Sequence, residues 1–153
     1  MSIPESCKAF RRAADGSTVE MVEEKLPSTL EPSQVLIHIH AISLNYRDVA
    51  MMNGKYPVAV IDRGIPASDC AAEVITVGSR VKDFQPGDHV TVIFDLNNIT
   101  GTEDETKVLG GDVDGVLRQY AVFDQSVLVH LPRYLSWEEV SFTIFFFFAS
   151  ESN

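Results

Sequence analysis

The sequence predicts a mainly β fold, a small, partly open antiparallel barrel with one or two short helices. Six or seven short segments alternate apolar and polar residues between turns rich in Gly, Pro and Asp, a pattern typical of such barrels. The chain has no strand-helix-strand repeat, which argues against a parallel sheet. With 153 residues, 45% of them hydrophobic, it can bury one core but is too short for two ordinary domains. We therefore assign residues 1–135 to a single barrel domain.

The N-terminal part predicts a hairpin followed by the clearest strand of the chain. Residues 7–13 and 18–24 alternate on either side of an Asp-Gly turn. Residues 34–44 (QVLIHIHAISL) place apolar side chains on one face and His38 and His40 on the other, as expected for a strand with one hydrated side.

The middle of the chain predicts one short helix and two more strands. Residues 45–53 have helix formers at their centre and are followed by Gly54, which suits a helix C-cap. Residues 57–63 form a loop. Residues 72–77 predict a strand that ends at a glycine turn, and residues 89–94 predict another after a Pro-Gly-Asp turn.

An acidic segment separates these strands from the last two. Residues 95–115 hold six acidic residues, one lysine and four glycines with little apolar periodicity, so we expect a long surface excursion. Residues 116–123 and 126–131 predict two strands joined by Asp124 and Gln125.

Residues 136–153 predict a helix start and an atypical tail. Ser136 and Glu139 have the spacing of a capping box, in which each side chain bonds the backbone of the other residue. Residues 141–153 contain five of the nine phenylalanines but show no helical period, and their apolar tract is too short to span a bilayer.

Charge and cysteine content limit the function classes. The formal charge of −10 repels phosphate backbones and anionic lipid surfaces, so we expect neither a nucleic-acid nor a membrane partner. Cys7 and Cys70 are too few for a disulfide framework, and the N-terminal residues lack the apolar stretch of a secretory signal. We therefore expect a soluble, cytoplasmic protein with reduced thiols.

Four motifs resemble the N-terminal catalytic domain of the medium-chain dehydrogenase/reductase superfamily. The longest, PASDCAAEVITVGSRVKDFQPGDHV at 66–90, is similar to the family's P-x-x-D-x-x-x-E-V-x-x-V-G and F-x-x-G-D-x-V. The others are LNYRD at 44–48, the glycine-rich segment at 109–120, and LSWEE at 135–139. The resemblance implies a GroES-like fold and an NADP- or NAD-dependent oxidoreductase.

The same resemblance points to the zinc-independent branch, which includes quinone reductases and related alcohol dehydrogenases. Asn45 stands where zinc-dependent members have a cysteine ligand, and Ser68 stands where they have a histidine. An amide is a poor zinc ligand beside a thiolate or imidazole, so we expect no metal. The family pattern implies Asn45, Tyr46 and Ser68 as catalytic residues, and Asn45, Tyr46 and Arg47 as contacts of the cofactor.

The residues alone leave structural alternatives for these positions. Asn45 and Asp48 are also typical helix caps. Ser68 and Asp69 form either an active-site hydroxyl and carboxylate or an Asx-type turn, of which we favour the turn. Cys70 is expected to be buried filler. His38 and His40 would share a hydrated face rather than bind metal, since no third ligand accompanies them.

The family's second domain has no counterpart in the sequence. No G-x-G-x-x-G turn or acidic ribose ligand follows residue 136, so we expect the nucleotide-binding Rossmann domain, and most of the cofactor surface with it, to be absent. We expect a truncated catalytic domain that is inactive alone and whose intact form acts on a small carbonyl, alcohol or quinone. The alternative is a stand-alone binding module or an inactive partner of a homologue, self-associating through the Phe-rich tail.

Overall fold

A computed structural model of the chain describes residues 3–141. The fold is mainly β and GroES-like, as predicted: seven strands, one α-helix, a 3-10 turn and the helical residues 137–141 within the described range. The strands are β1 (Ser6–Arg12), β2 (Val19–Lys25), β3 (Gln34–Ser43), β4 (Asp69–Val77), β5 (His89–Val92), β6 (Tyr120–Asp124) and β7 (Leu128–His130), and helix α1 spans Tyr46–Met52.

The strands form two antiparallel units. β1 and β2 make the predicted hairpin, and the other five form a curled, open sheet in the order β6-β3-β4-β5-β7. Alternation along these strands directs apolar residues to one face, where the main core lies. That core includes Val35, Ile37, Val74, Val90 and Leu109, each 0–1% exposed.

The pairing of β3 with β4 positions the candidate site. The two strands run antiparallel, and Ser43 at the end of β3 pairs with Asp69 at the start of β4. Two irregularities in register, next to Ile37 and Ala41, bend this ladder, as bulges do in curled sheets. The residues that follow β3 and those that precede β4 therefore lie at the same end of the barrel.

The predicted helix over 45–53 is confirmed as α1. Its N-terminus is capped by Asp48, whose carboxylate Oδ2 accepts from the backbone N–H of Asn45 at 3.0 Å. The helix ends at Met52 with Asn53 as its C-cap, and Gly54 follows with a φ of +63°, a conformation that glycine adopts without strain.

The C-terminal strands differ from the prediction. β6 begins only at Tyr120 and β7 ends at His130, with a 3-10 turn at Gln125–Val127 between them. They lie on opposite edges of the sheet, because β6 pairs with β3 and β7 with β5. Local alternation predicts strands but carries no information about which neighbour each one finds.

The prediction of a surface excursion over 95–115 is only half right. Residues 98–107 are exposed, but Leu109, Gly110, Gly111 and Gly115 are buried. Gly115 packs so tightly that a Cβ there would lie 2.0 Å from the Ala67 carbonyl oxygen. The glycines that made the segment look like a loop are needed for this close approach to the backbone before β4.

An ion-pair network attaches the hairpin to the same segment. The Arg11 guanidinium donates to both carboxylate oxygens of Asp114 (3.0 and 2.8 Å) and to Glu24 (2.6 Å). Burial opposes ionisation of Asp114, but the bonds from Arg11 and from the Ile65 N–H outweigh it and lower the pKa of that carboxyl.

The capping box at Ser136 is confirmed. The Ser136 N–H donates to the Glu139 carboxylate at 2.9 Å, and Ser136 Oγ accepts from the Glu139 N–H at 3.2 Å. Val140 is buried with Ala71 on the sheet, and Leu135 packs against them. The Phe-rich tail predicted over 141–153 lies outside the described residues from 142 onward. No helix among residues 3–141 is long and apolar enough to cross a membrane.

Candidate active site

Two neutral side chains converge on one carboxylate where β3 ends and β4 begins. Asn45 Nδ2 and Ser68 Oγ each donate to Oδ2 of Asp69, both at 2.6 Å. The predicted site residues Asn45 and Ser68 are thus brought together, with Asp69 as their shared acceptor. Asp69 is the first residue of β4, and its carboxylate accepts these two side-chain donors; the backbone N–H bond that defines an Asx-type turn is not among the contacts found within residues 3–141.

Asp48 fixes both halves of this cluster. Its carboxylate is 5% exposed and accepts the Asn45 N–H through Oδ2 and the Ala67 N–H through Oδ1 at 2.9 Å. Ala67 has a φ of +67°, a left-handed conformation that is uncommon for a residue with a side chain. The residue before Ser68 is therefore held in a strained conformation by a carboxylate from α1.

Arg47 extends from α1 toward the buried glycine segment. Its Nη2 donates to the Leu109 carbonyl at 2.7 Å, and its guanidinium carbon lies 4.7 Å from the centre of the Phe94 ring. Nη1 is buried and has no hydrogen-bond partner among the described residues. A donor that is buried without a partner in this way is energetically costly.

Arg12 is a second buried cation beside this site, and sequence reasoning missed it. Its side chain donates to the carbonyls of Gly110 (2.9 Å) and Ile61 (3.2 Å), and burial lowers the pKa of its guanidinium. Arg12 and Arg47 thus donate to the carbonyls of Gly110 and Leu109, which are adjacent in sequence. The two side chains together hold this turn in place. No local signal marks Arg12, because its neighbour Arg11 has the same side chain and makes ion pairs at the surface.

Tyr46 and its neighbours leave an apolar rim uncovered. Tyr46 is 80% exposed, and Leu44, Val49 and Phe94 are between 46% and 70% exposed. Ser68, in contrast, is only 2% exposed. The predicted residue Tyr46 therefore lies at the surface, whereas Ser68 is buried in the polar cluster.

The donor set does not suit a tetrahedral zinc ion. Asn45 and Ser68 offer an amide and a hydroxyl where thiolate and imidazole would be needed, and only Asp69 is a common ligand. Within residues 3–141, no three His, Cys, Asp or Glu side chains are grouped so as to hold a metal. Cys70 next to this cluster is fully buried, as predicted, and burial raises the pKa of its thiol to about 12.

A curled antiparallel sheet, a short helix after β3 and a polar cluster at the β3–β4 end define a barrel of the alcohol dehydrogenase catalytic-domain type. The alcohol dehydrogenase GroES-like domain matches residues 31–133, about two thirds of the chain, and the chain belongs to this family.

Individual relatives agree with this assignment. The zinc-type alcohol dehydrogenase-like protein C1773.06c of Schizosaccharomyces pombe is 38% identical over 122 residues, covering 78% of this chain and 35% of its own. The chloroplastic quinone-oxidoreductase QR1 of Triphysaria versicolor is 34% identical over 128 residues, covering 78% and 32%. The chain therefore spans about a third of the length of these curated relatives.

A solved structure confirms the fold. The acetophenone reductase of Geotrichum candidum, in complex with NAD, superposes with a TM-score of 0.78 at 16% identity, over 94% of this chain and 45% of that one.

Proposed function

We propose that this chain forms the substrate-side wall of a cytoplasmic, zinc-independent, NAD(P)H-dependent oxidoreductase that acts on a small carbonyl, alcohol or quinone. The observation that carries the proposal is the cluster of Asn45, Ser68 and Asp69. Two positions that resemble zinc-ligand positions hold neutral donors, and both donors are bound to one carboxylate. The relatives named above include a zinc-type alcohol dehydrogenase-like protein and a quinone-oxidoreductase, and the structural neighbour is an acetophenone reductase in complex with NAD.

In such an enzyme a bound nicotinamide cofactor supplies or accepts the hydride, in a cleft between this barrel and a nucleotide-binding domain. Asn45 and Tyr46 line the barrel side of that cleft, where the exposed Tyr46 hydroxyl can donate to a substrate oxygen. The Ser68 hydroxyl and Asp69 set the position of the Asn45 amide from below. The exposed apolar rim around Tyr46 excludes water once it is covered.

Arg47 is the residue that fits the cofactor phosphates. Nη2 is anchored on the Leu109 carbonyl, while the buried Nη1 keeps a donor without a partner. A buried donor of this kind is costly to leave unsatisfied, so a phosphate oxygen that reaches it would gain a charge-assisted bond. We expect the 153-residue chain alone to bind NADPH only weakly, because one wall offers a small part of a cofactor's contacts.

An NMR titration of the purified chain with NADPH tests this assignment. We expect millimolar affinity, with shifts concentrated at the amides of residues 45–47 and 109–111, and we expect Arg47→Ala to abolish them. Arg80→Ala, on the surface away from α1, serves as the matched control and should leave the titration unchanged. Micromolar binding, or shifts confined to another face of the barrel, would contradict the proposal.

Metal independence has a separate test. The wild-type chain is expected not to bind Zn²⁺ in an isothermal titration at neutral pH. The double substitution N45C and S68H adds a thiolate and an imidazole next to Asp69, so this variant should acquire Zn²⁺ binding. Stoichiometric zinc binding by the wild type that is lost in Asn45→Ala and Ser68→Ala would place the metal at this site and overturn the zinc-independent assignment.

A further inference from the structure

Five rings form a continuous row on the face of the five-stranded sheet opposite the core. Adjacent ring centroids are 4.0–4.6 Å apart, and the order is Tyr120, His38, His40, Trp137 and His89. The first three rings come from β6 and β3, and the last belongs to β5. Trp137 is the only ring in the row that the sheet does not supply, and it is the first residue of the helical segment 137–141.

Trp137 lies against two imidazoles from different strands. The His40 ring stacks on the indole at 4.3 Å with an interplanar angle of 8°, and the His89 ring lies at 4.0 Å with an angle of 37°. β4 runs between β3 and β5 and contributes the small, buried Ala71 to the cluster that includes Trp137. The helix start therefore contacts two groups that can take up a proton, in addition to the apolar Ala71.

One carboxylate of the sheet faces these imidazoles. Glu73 on β4 lies 3.3 Å from His40 Nε2 through Oε2, and its backbone pairs in register with both His38 and His89. Tyr120 stacks on His38 from the far side. From the helix, Glu138 and Glu139 follow Trp137 in sequence, and the Glu139 carboxylate bonds the Ser136 N–H.

One more ion pair lies beside His89, and it is already formed. Asp88 precedes His89 in sequence and binds Arg133 at 3.0 Å. The acidic groups near the imidazoles are thus Glu73 on β4, Glu138 and Glu139 after Trp137, and Asp88 before His89. The basic group Arg133 is paired with Asp88.

We propose that His40 and His89 form a proton-responsive clamp on Trp137, which holds the helix start at 137–141 more tightly as the pH falls through the histidine range. A protonated imidazole against an indole face gains a cation–π interaction that the neutral ring lacks. For His40, the Glu73 carboxylate adds an ion pair to the same proton. The rings stack whether or not the imidazole is protonated, so the proton strengthens the clamp without rearranging it.

His38 is the third histidine of the row, and its surroundings favour the neutral form. Burial, reinforced by the neighbouring His40, lowers the pKa of His38, with Glu73 opposing weakly. The ring centroids of His38 and His40 lie 4.5 Å apart, so a positive charge on His38 would lie close to any charge on His40. Because the lowered pKa favours neutral His38 in the fold, protonation of His38 destabilises the folded chain. This loss begins only as the pH falls below the unfolded pKa of about 6.5.

Amide hydrogen exchange of the full chain tests the clamp. The amides of Glu139 and Val140 are both bonded to Ser136, so their exchange reports opening of the helix start. After correction for intrinsic rates, we expect their protection to rise about fivefold to thirtyfold between pH 8 and pH 6, for two cation–π contacts. Trp137 is the sole tryptophan, so its fluorescence should fall over the same range as imidazolium forms against the indole.

Variants that keep the rings but cannot take up a proton separate the clamp from simple stacking. The double variant His40→Phe and His89→Phe should dock the helix start at both pH values and lose the pH response. His130→Phe is the matched control, because His130 stacks on Phe84 instead, and it should keep the wild-type response. If the double variant loses protection in the barrel strands, each single variant is measured, and each should retain a smaller response.

Two results would overturn the proposal. One is a wild-type protection at Glu139 and Val140 that stays constant or falls between pH 8 and pH 6. The other is a response that persists at full size when both histidines are replaced.

Discussion

Replacing Asp48 with asparagine should destabilise the barrel far more than an isosteric exchange normally does. Asp48 is 5% exposed, and each of its carboxylate oxygens accepts one backbone N–H, from Asn45 at 3.0 Å and from Ala67 at 2.9 Å. An amide of the same shape has only one oxygen. Its NH₂ group must therefore face one of the two N–H donors, and that donor is left buried without a hydrogen-bond acceptor.

The magnitude follows from these two contacts. A hydrogen bond to a charged acceptor contributes about 1.5–3 kcal/mol, and a buried donor left unsatisfied costs about 1–3 kcal/mol. One bond is lost and the other becomes neutral, so Asp48→Asn should lower the free energy of unfolding by about 2–4 kcal/mol. The donor of Ala67 is the more vulnerable, because its φ of +67° is maintained by the surrounding contacts.

Urea denaturation followed by circular dichroism measures this change, with the midpoint compared at constant slope. Asp62→Asn is the control, since Asp62 is exposed in a surface turn, and it should change stability by less than about 0.5 kcal/mol. An Asp48→Asn variant as stable as this control would refute the reasoning. The Ala67 amide should also exchange faster with solvent in the variant, which localises the loss.

Three further outcomes follow from the fold. Gly115→Ala should prevent folding or lower the free energy of unfolding by several kcal/mol in calorimetry, because its Cβ would lie 2.0 Å from a backbone oxygen. Its control is Gly87→Ala, whose Cβ meets nothing within 4 Å and which should cost only the strain of a φ of +90°. Asp114 has a lowered pKa in the fold, so its ionised form contributes stability that is lost as the pH falls through the folded pKa. In thermal melts, Asp114→Asn should be less stable than wild type at pH 6, and the difference should shrink as the pH falls below the ordinary value of 3.8. Cys70 is fully buried with a thiol pKa of about 12, so it should react with a thiol reagent only after unfolding, and labelling in the native state at neutral pH would contradict its position.

The sequence predicts those parts of the fold that depend on contacts between residues close together in the chain. An Asp-Gly turn between alternating segments identifies the hairpin, alternation identifies β3, and the capping residues mark the starts of α1 and of the helical segment 137–141. Each of these signals involves residues within about four positions of one another, so no knowledge of distant partners is needed.

The parts that sequence reasoning missed depend on partners far apart in the chain. Gly115 looks like a loop residue until Ala67, 48 positions earlier, comes within contact of it. Arg12 is buried because carbonyls of Ile61 and Gly110 surround it, and nothing next to it in sequence announces them. Strand alternation likewise predicts β6 and β7 but not their places on opposite edges.

The candidate site shows the same division. The family resemblance identifies Asn45 and Ser68 as a pair, although they are 23 positions apart, but it does not say what they bind. The structure supplies Asp69 as the common acceptor and Asp48 as the group that holds both backbones. Since the Asn45 amide and the Ser68 hydroxyl bond the same oxygen, replacing either one changes the surroundings of the other. In the proposed zinc-independent site, Asn45 and Ser68 are therefore expected to act as one coupled unit, because both are bonded to the carboxylate of Asp69.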